Sequence, residues 1–206
     1  MENQTYSRYA ALGKDFDDYW NHALHSKNQK YFSQMELIDF VKLKKAISNI
    51  NNIVTLLVTD RFIDYLLHCK IVSLTSATNM HEEVNATHAN TNGFDIESIE
   101  AKIVAEVKCN IPVSTSAFGA AQEESIIDDI VHLYMGKSKS KVKAEELEEY
   151  YKFMVLLDGD NVLECTQKII NKVNDKKLLE SGKVKLYCPG EKLLKNVVYV
   201  VLVNPK

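Results

Sequence analysis

Asp95 and the triplet Glu106-Val107-Lys108 are the residues of this 206-residue chain whose types and spacing can do chemistry. They lie in the run Phe94-Asp95-Ile96-Glu97-Ser98-Ile99-Glu100-Ala101-Lys102-Ile103-Val104-Ala105-Glu106-Val107-Lys108-Cys109, two short apolar-alternating segments that meet at a charged turn. Side chains on a strand repeat every two residues, so Glu106 and Lys108 share one face of the second segment. An Asp on the adjacent strand brings a second carboxylate to that face. Two carboxylates can hold a hard divalent cation, and a neighbouring ammonium can orient or activate a water. That combination is the chemistry of metal-dependent phosphodiester hydrolysis. The plainer alternative is an exposed Glu106–Lys108 ion pair on an edge strand, worth at most about 1 kcal/mol. The apolar neighbours point instead to a central, buried strand.

The elements that must position these groups are legible from periodicity. Phe16, Tyr19, Trp20, Ala23 and Leu24 have the spacing of a helix with one buried face. Ser33 and Glu36 form a capping-box pattern ahead of a second helix carrying Leu37, Phe40, Val41, Lys44 and Ile47. Residues 53–68 read as a buried helix and residues 71–75, rich in β-branched side chains, as a strand. Residues 78–93 are polar and Asn-rich and read as a loop. Strands are expected over 94–99 and 103–109. A helix follows over 120–135, with Ile126, Ile127, Ile130, Val131 and Tyr134 on its apolar face and Glu123, Glu124, Asp128 and Asp129 on the other. Residues 136–141 read as a flexible basic linker. Beyond a short acidic helix come a buried strand over 152–157, a turn at Asp158-Gly159-Asp160, a helix over 162–173, and strands over 183–188 and 197–203. Helices, three strands, a helix and a strand, then an α/β tail, predict an α/β fold with a mixed central sheet flanked by helices and an N-terminal helical extension.

Length favours one domain, organised as N-terminal helices over 1–52, a core over 53–160 and a basic α/β tail over 161–206. With 46% hydrophobic and 26% charged residues the composition is that of an ordinary globular protein. No apolar run reaches the length of a membrane span and Met1-Glu2-Asn3-Gln4 lacks a signal-peptide pattern, so a cytoplasmic protein without membrane contact is expected. Cys69, Cys109, Cys165 and Cys188 are scattered without a C-x-x-C pair and read as reduced thiols. Net charge is -3, unevenly spread: residues 165–206 carry nine Lys against Asp175, Glu180 and Glu191. A basic end can face phosphates while the acidic part houses metal-binding carboxylates, although a solvated lysine surface explains the same count.

The order of elements around Asp95, Glu106 and Lys108 resembles the PD-(D/E)XK nuclease superfamily, the restriction-endonuclease-like fold. The resemblance covers residues 53–160. Asp95 matches the first acidic position, Glu106 the second and Lys108 the lysine; Gly93-Phe94 precedes Asp95 where the family's name has proline. It implies a Mg²⁺-dependent DNA endonuclease, with Mn²⁺ as a substitute, of the kind found in restriction and defence systems. Asp95, Glu106 and the main-chain carbonyl of Val107 would bind the metal, and Lys108 would position the attacking water or stabilise charge on the phosphorane. Gln122 is implied as an accessory residue early in the helix. A further acid often comes from the first core helix, where Asp64 is the accessory candidate, with Asp60 and, one helix earlier, Glu36 still open. Lys137, Lys139, Lys141 and Lys143 on the linker are expected to contact DNA phosphates. With only Arg8 and Arg61 available, bidentate guanine reading is not expected to dominate. A homodimer would supply two sites for a duplex. The rival readings are a non-catalytic protein of this fold that binds DNA or a protein partner, and an unrelated α/β interaction domain.

Other constellations lack the required spacing. His81-Glu82-Glu83 reaches its next His only at His88, and His22 with His25 has no third ligand. Asp158-Gly159-Asp160 has no EF-hand continuation, and there is no Gly-rich phosphate loop and no G-x-S-x-G elbow.

Overall fold

The computed structural model of the chain describes residues 7–86 and 93–205. The chain divides into two compact units between Ile50 and Asn51. The N-terminal unit contains α1 (Arg8–Ala23), α2 (Tyr31–Gln34) and the beginning of α3 (Leu37–His68). Ser7 Oγ accepts the Ala10 N–H at 3.3 Å and satisfies one of the open donors that begin α1. The apolar face predicted for α1 meets an aromatic cluster: the Phe16 ring lies 6.0 Å from Phe32 and 5.6 Å from Phe40. Asp17 is buried beside it and accepts the Phe32 N–H at 2.7 Å.

The two helices expected over the middle of the N-terminal half are one. Nothing between Leu37 and His68 is Gly or Pro, so no residue interrupts the backbone ladder. Its N-terminal cap also differs from the expected Ser33–Glu36 box: Asp39 Oδ2 accepts the Glu36 N–H at 3.1 Å, and Ser33 Oγ instead donates to the Lys30 carbonyl.

The second unit is built on a five-stranded sheet, which bears out the α/β expectation. Its strands are β1 (Ile96–Ser98), β2 (Ile103–Lys108), β3 (Tyr151–Leu157), β4 (Val184–Leu186) and β5 (Val198–Val203), in the order β1-β2-β3-β5-β4. β1 is antiparallel to β2, and the other neighbouring pairs are parallel, so the sheet is mixed. The two long connections between parallel strands carry α5 (Ala120–Met135), a 3₁₀ turn (Ala144–Glu149) and α6 (Val162–Asp175). Residue parity sorts the strands onto two cores. Val104, Met154, Leu156, Val198 and Val200 pack with α5 and α6, whereas Ile103, Ala105, Val107, Phe153, Val155 and Tyr199 pack with the C-terminal part of α3 and with α4 (Leu74–Ala86). Phe62 of α3 meets Phe153 at 5.3 Å between centroids.

Residues 71–75 do not form the expected strand. Ser73 caps α4, its Oγ accepting the Ser76 N–H at 3.1 Å and its carbonyl the Ala77 N–H at 2.9 Å. This local side-chain option overrides the β-branched composition. α4 then continues through Ala86, across much of the expected loop, with Ala77 and Met80 buried. Residues 87–92, including His88, lie outside the described residues. All four cysteines are free. Among the described residues no helix is long and apolar enough to cross a membrane.

His81 on α4 joins that helix to α3, its Nδ1 lying 2.9 Å from Asp60 Oδ1 and its Nε2 3.2 Å from Asp64 Oδ1. Burial alone would lower the imidazole pKa, but the two carboxylates outweigh it and raise the value. Protonated His81 therefore favours the folded state, fully below the ordinary histidine value of about 6.5 and progressively less as pH rises through the raised folded value. The melting-temperature advantage of wild type over His81→Ala is expected to be largest near pH 5 to 6 and to shrink above pH 7; an advantage independent of pH would show that the imidazolium contributes no charge pairing.

Candidate active site

β2 is an interior strand and its register fixes the site. Ile96 pairs with Ala105, so Asp95, one residue before β1, continues the ladder toward Glu106. Glu106 pairs with Met154 of β3 and shares its face, the one covered by α5. Asp95 Oδ2 accepts the Val107 N–H at 2.7 Å, tying the first carboxylate to the strand that carries the second. Asp95, Glu106, Val107, Lys108 and Gln122 all border one cleft of about 1190 Å³ in the second unit.

Two further residues complete the cluster. Lys108 Nζ lies 2.6 Å from Asp129 Oδ2. Lys137 Nζ donates to Glu106 Oε1 and lies 3.6 Å from Asp129 Oδ1 and 3.5 Å from the Gly93 carbonyl. Asp129, read from helical periodicity as part of the polar face of α5, is in fact buried beneath the sheet. The two ammonium groups offset the cost of burying it, and helical periodicity in the sequence carried no sign of these tertiary partners. Lys137, expected on a flexible linker facing phosphates, points inward with its side chain only 20% exposed. Lys139, Lys141 and Lys143 are exposed.

The linker is held rather than loose. Glu97 on β1 accepts Ser140 Oγ at 2.7 Å, the Lys141 N–H at 3.2 Å and the Phe94 N–H at 2.9 Å. At its start Gly136 adopts φ 100°, a conformation that favours glycine, and turns the chain from α5 back under the sheet. Gln122 caps α5, its Oε1 accepting the Gly119 N–H at 3.2 Å. Asp64 and Asp60 stand outside the cleft lining and are engaged with His81, and Glu36 belongs to the N-terminal unit. The third carboxylate bordering the cleft is Asp129.

These surroundings set the protonation of the carboxylates. Glu106 is only 4% exposed and burial, reinforced by repulsion from Asp95, pushes its pKa up to about 8 against the opposing pull of Lys137. Asp95 is exposed along the cleft, yet the surrounding protein raises its pKa too, opposed by the Val107 N–H and the two ammonium groups. For Lys137, burial would lower the pKa but the contact with Glu106 and the attraction of Asp129 carry it upward.

The donors are hard oxygens, the type that Mg²⁺ prefers, and Mg²⁺ commonly uses only one or two carboxylates together with waters and substrate phosphate. Among the described residues no three His, Cys, Asp or Glu are gathered closely enough to hold a metal by themselves. Asp95, Glu106 and the Val107 carbonyl border the cleft with oxygen donors of the type and small number that a water-rich Mg²⁺ site uses.

Replacing Gly136 with Ala would force a side chain into the left-handed region, with its Cβ 3.0 Å from Ala144 Cβ. Gly136→Ala is expected to lower stability by roughly 1–3 kcal/mol, read as a lower urea midpoint at unchanged slope; an unchanged midpoint would show that the turn has room to adapt. Comparison of the chain with protein-family models, with curated proteins and with solved structures finds no match.

Proposed function

We propose that this protein is a divalent-cation-dependent DNA endonuclease of restriction-endonuclease-like architecture. The single observation that carries the reading is the buried Glu106 in the centre of β2, sharing a cleft with Asp95 on the adjoining edge and with Lys108 on its own face. The antiparallel β1–β2 pair, the α5 crossover and the parallel β3 support the reading, while the core the resemblance implies has one more strand before the crossover than this sheet does.

In this reading Asp95, Glu106 and the Val107 carbonyl hold the cation. When bound, Mg²⁺ would polarise the scissile phosphate and lower the pKa of an attacking water. Asp129 holds Lys108 at the cleft, so its ammonium is available to orient water or to meet charge developing on the phosphate. With Glu106 ionised, three carboxylates against two ammonium groups leave the cleft one negative charge in excess, which disfavours a polyanion until a divalent ion enters. The walls of the cleft carry Asn51, Asn52, Asn85 and Asn110, whose amides can bond sugar, phosphate or base edges. Lys139, Lys141 and Lys143 remain the candidates for backbone contacts. The contact of Lys137 with Glu106 also favours a second reading, a non-catalytic nucleic-acid-binding protein in which that ion pair is permanent.

Incubation with plasmid DNA, with and without Mg²⁺ or Mn²⁺, separates the two readings. Cleavage is expected only with the cation, and Glu106→Ala is expected to abolish it while DNA binding persists; wild-type cleavage by Glu106→Ala would end the metal-nuclease reading. Below pH 8, protons compete with the cation for Glu106. Divalent affinity should therefore rise by up to about tenfold per pH unit toward pH 8 and level off above it, measured by calorimetry; an affinity flat from pH 6 to 8 would exclude Glu106 as a ligand. Binding to a duplex should weaken steeply with salt, and changing Lys139, Lys141 and Lys143 to Ala should reduce the slope by about one for each lysine that touches a phosphate. An unchanged slope would move the DNA-binding face elsewhere.

A further inference from the structure

We propose that Lys137 is the resident counter-ion of the carboxylate site and that a divalent cation enters by exchange with its ammonium. The inference rests on the metal-site reading of Asp95 and Glu106 and adds a competitor built into the chain. The Lys137 ammonium is surrounded by Glu106 Oε1, Asp129 Oδ1 at 3.6 Å and the Gly93 carbonyl at 3.5 Å, all oxygen acceptors of the kind a hard cation takes. The ammonium also lies over the Phe94 ring, 5.3 Å from its centroid. It thus holds a position that cation binding at Glu106 would need.

The construction lets the side chain leave without disturbing its backbone. Glu97 fixes Ser140 and Lys141, and Gly136 sets the direction of the turn, so the loop stays in place while the flexible four-carbon stem swings. The cleft supplies the space on one side and solvent on the other, since Lys137 is already one-fifth exposed. Lys108 does not need to follow, because its partner Asp129 Oδ2 is a different oxygen from the one facing Lys137. Charge favours the exchange once Glu106 is ionised: the cleft then has one formal negative charge in excess, and replacing a single ammonium charge by a divalent ion removes it. The displaced ammonium then lies at the mouth of the cleft, where it can meet a phosphate.

Conformational competition of this kind weakens apparent affinity by the fraction of time the site is open. A lysine seated about nine-tenths of the time would weaken binding about tenfold, so Lys137→Gln is expected to bind Mn²⁺ about tenfold tighter in calorimetry at pH 8.5, whereas Lys139→Gln should bind as wild type does. In the unaltered protein, acetylation of Lys137 by an amine-reactive ester, followed by peptide mass spectrometry, should be slow relative to Lys139 and should accelerate several-fold on adding Mn²⁺. Equal or weaker Mn²⁺ binding by a folded Lys137→Gln variant, or a labelling rate of Lys137 that Mn²⁺ leaves unchanged while it binds, would overturn the exchange alone. Failure of Mn²⁺ to bind either protein would overturn the metal-site reading with it. Circular dichroism checks the fold of the variant, and if that fold is lost the labelling of wild type decides.

Discussion

Glu106 is an acid on an interior strand, almost wholly out of water, and the local structure is organised around that constraint. An unpaired charge in such a place costs several kcal/mol, so it must be neutralised by a proton or by a cation. Here a cation is brought to it from the end of α5: Gly136 turns the chain, Glu97 pins the following loop, and Lys137 reaches back to the strand. Asp129 is buried for the same reason, shared between Lys137 and Lys108. Removing Lys137 takes from Glu106 the ammonium that contacts it, and removing Asp129 takes from Lys108 its carboxylate.

The same sheet contains a buried lysine that is satisfied differently, and the contrast is informative. Lys152 on β3 donates to the carbonyls of Leu147, Tyr150 and Lys195, with no carboxylate in contact, and burial lowers its pKa to about 8. Its bonds stitch the 3₁₀ turn and the approach to β5 onto the strand, a purely structural arrangement. Around Glu106 the partners are side chains on a loop beside an open cleft. Side chains can exchange partners where main-chain carbonyls cannot, which is why only the first of these buried charges is a candidate for chemistry.

Much of this arrangement was legible in the sequence because it rests on parity and spacing. Glu106 and Lys108 fall on one face because strand side chains alternate, and Asp95 reaches them because a short turn separates two apolar segments. The long helix over Ala120–Met135 and the apolar runs of β3 and β5 follow from the same reading of periodicity and length. What could not be read depends on local capping or on tertiary partners. Ser73 turned a β-branched run into the start of a helix, and the absence of Gly or Pro merged two expected helices into α3. Asp129 carries a polar side chain on an amphipathic helix and looks solvated until its two lysines are known. Lys137 looks like one of four equivalent linker lysines, and only the fold distinguishes it from Lys139, Lys141 and Lys143.

The most direct measurement is a crystal structure grown or soaked at high pH with Mn²⁺, with anomalous differences collected for the ion. A peak within coordination distance of Asp95 and Glu106, with the Lys137 ammonium withdrawn from Glu106, is the expected result. No peak at saturating Mn²⁺, with Lys137 still seated on Glu106, would contradict a metal role for these carboxylates and leave a structural ion pair in their place.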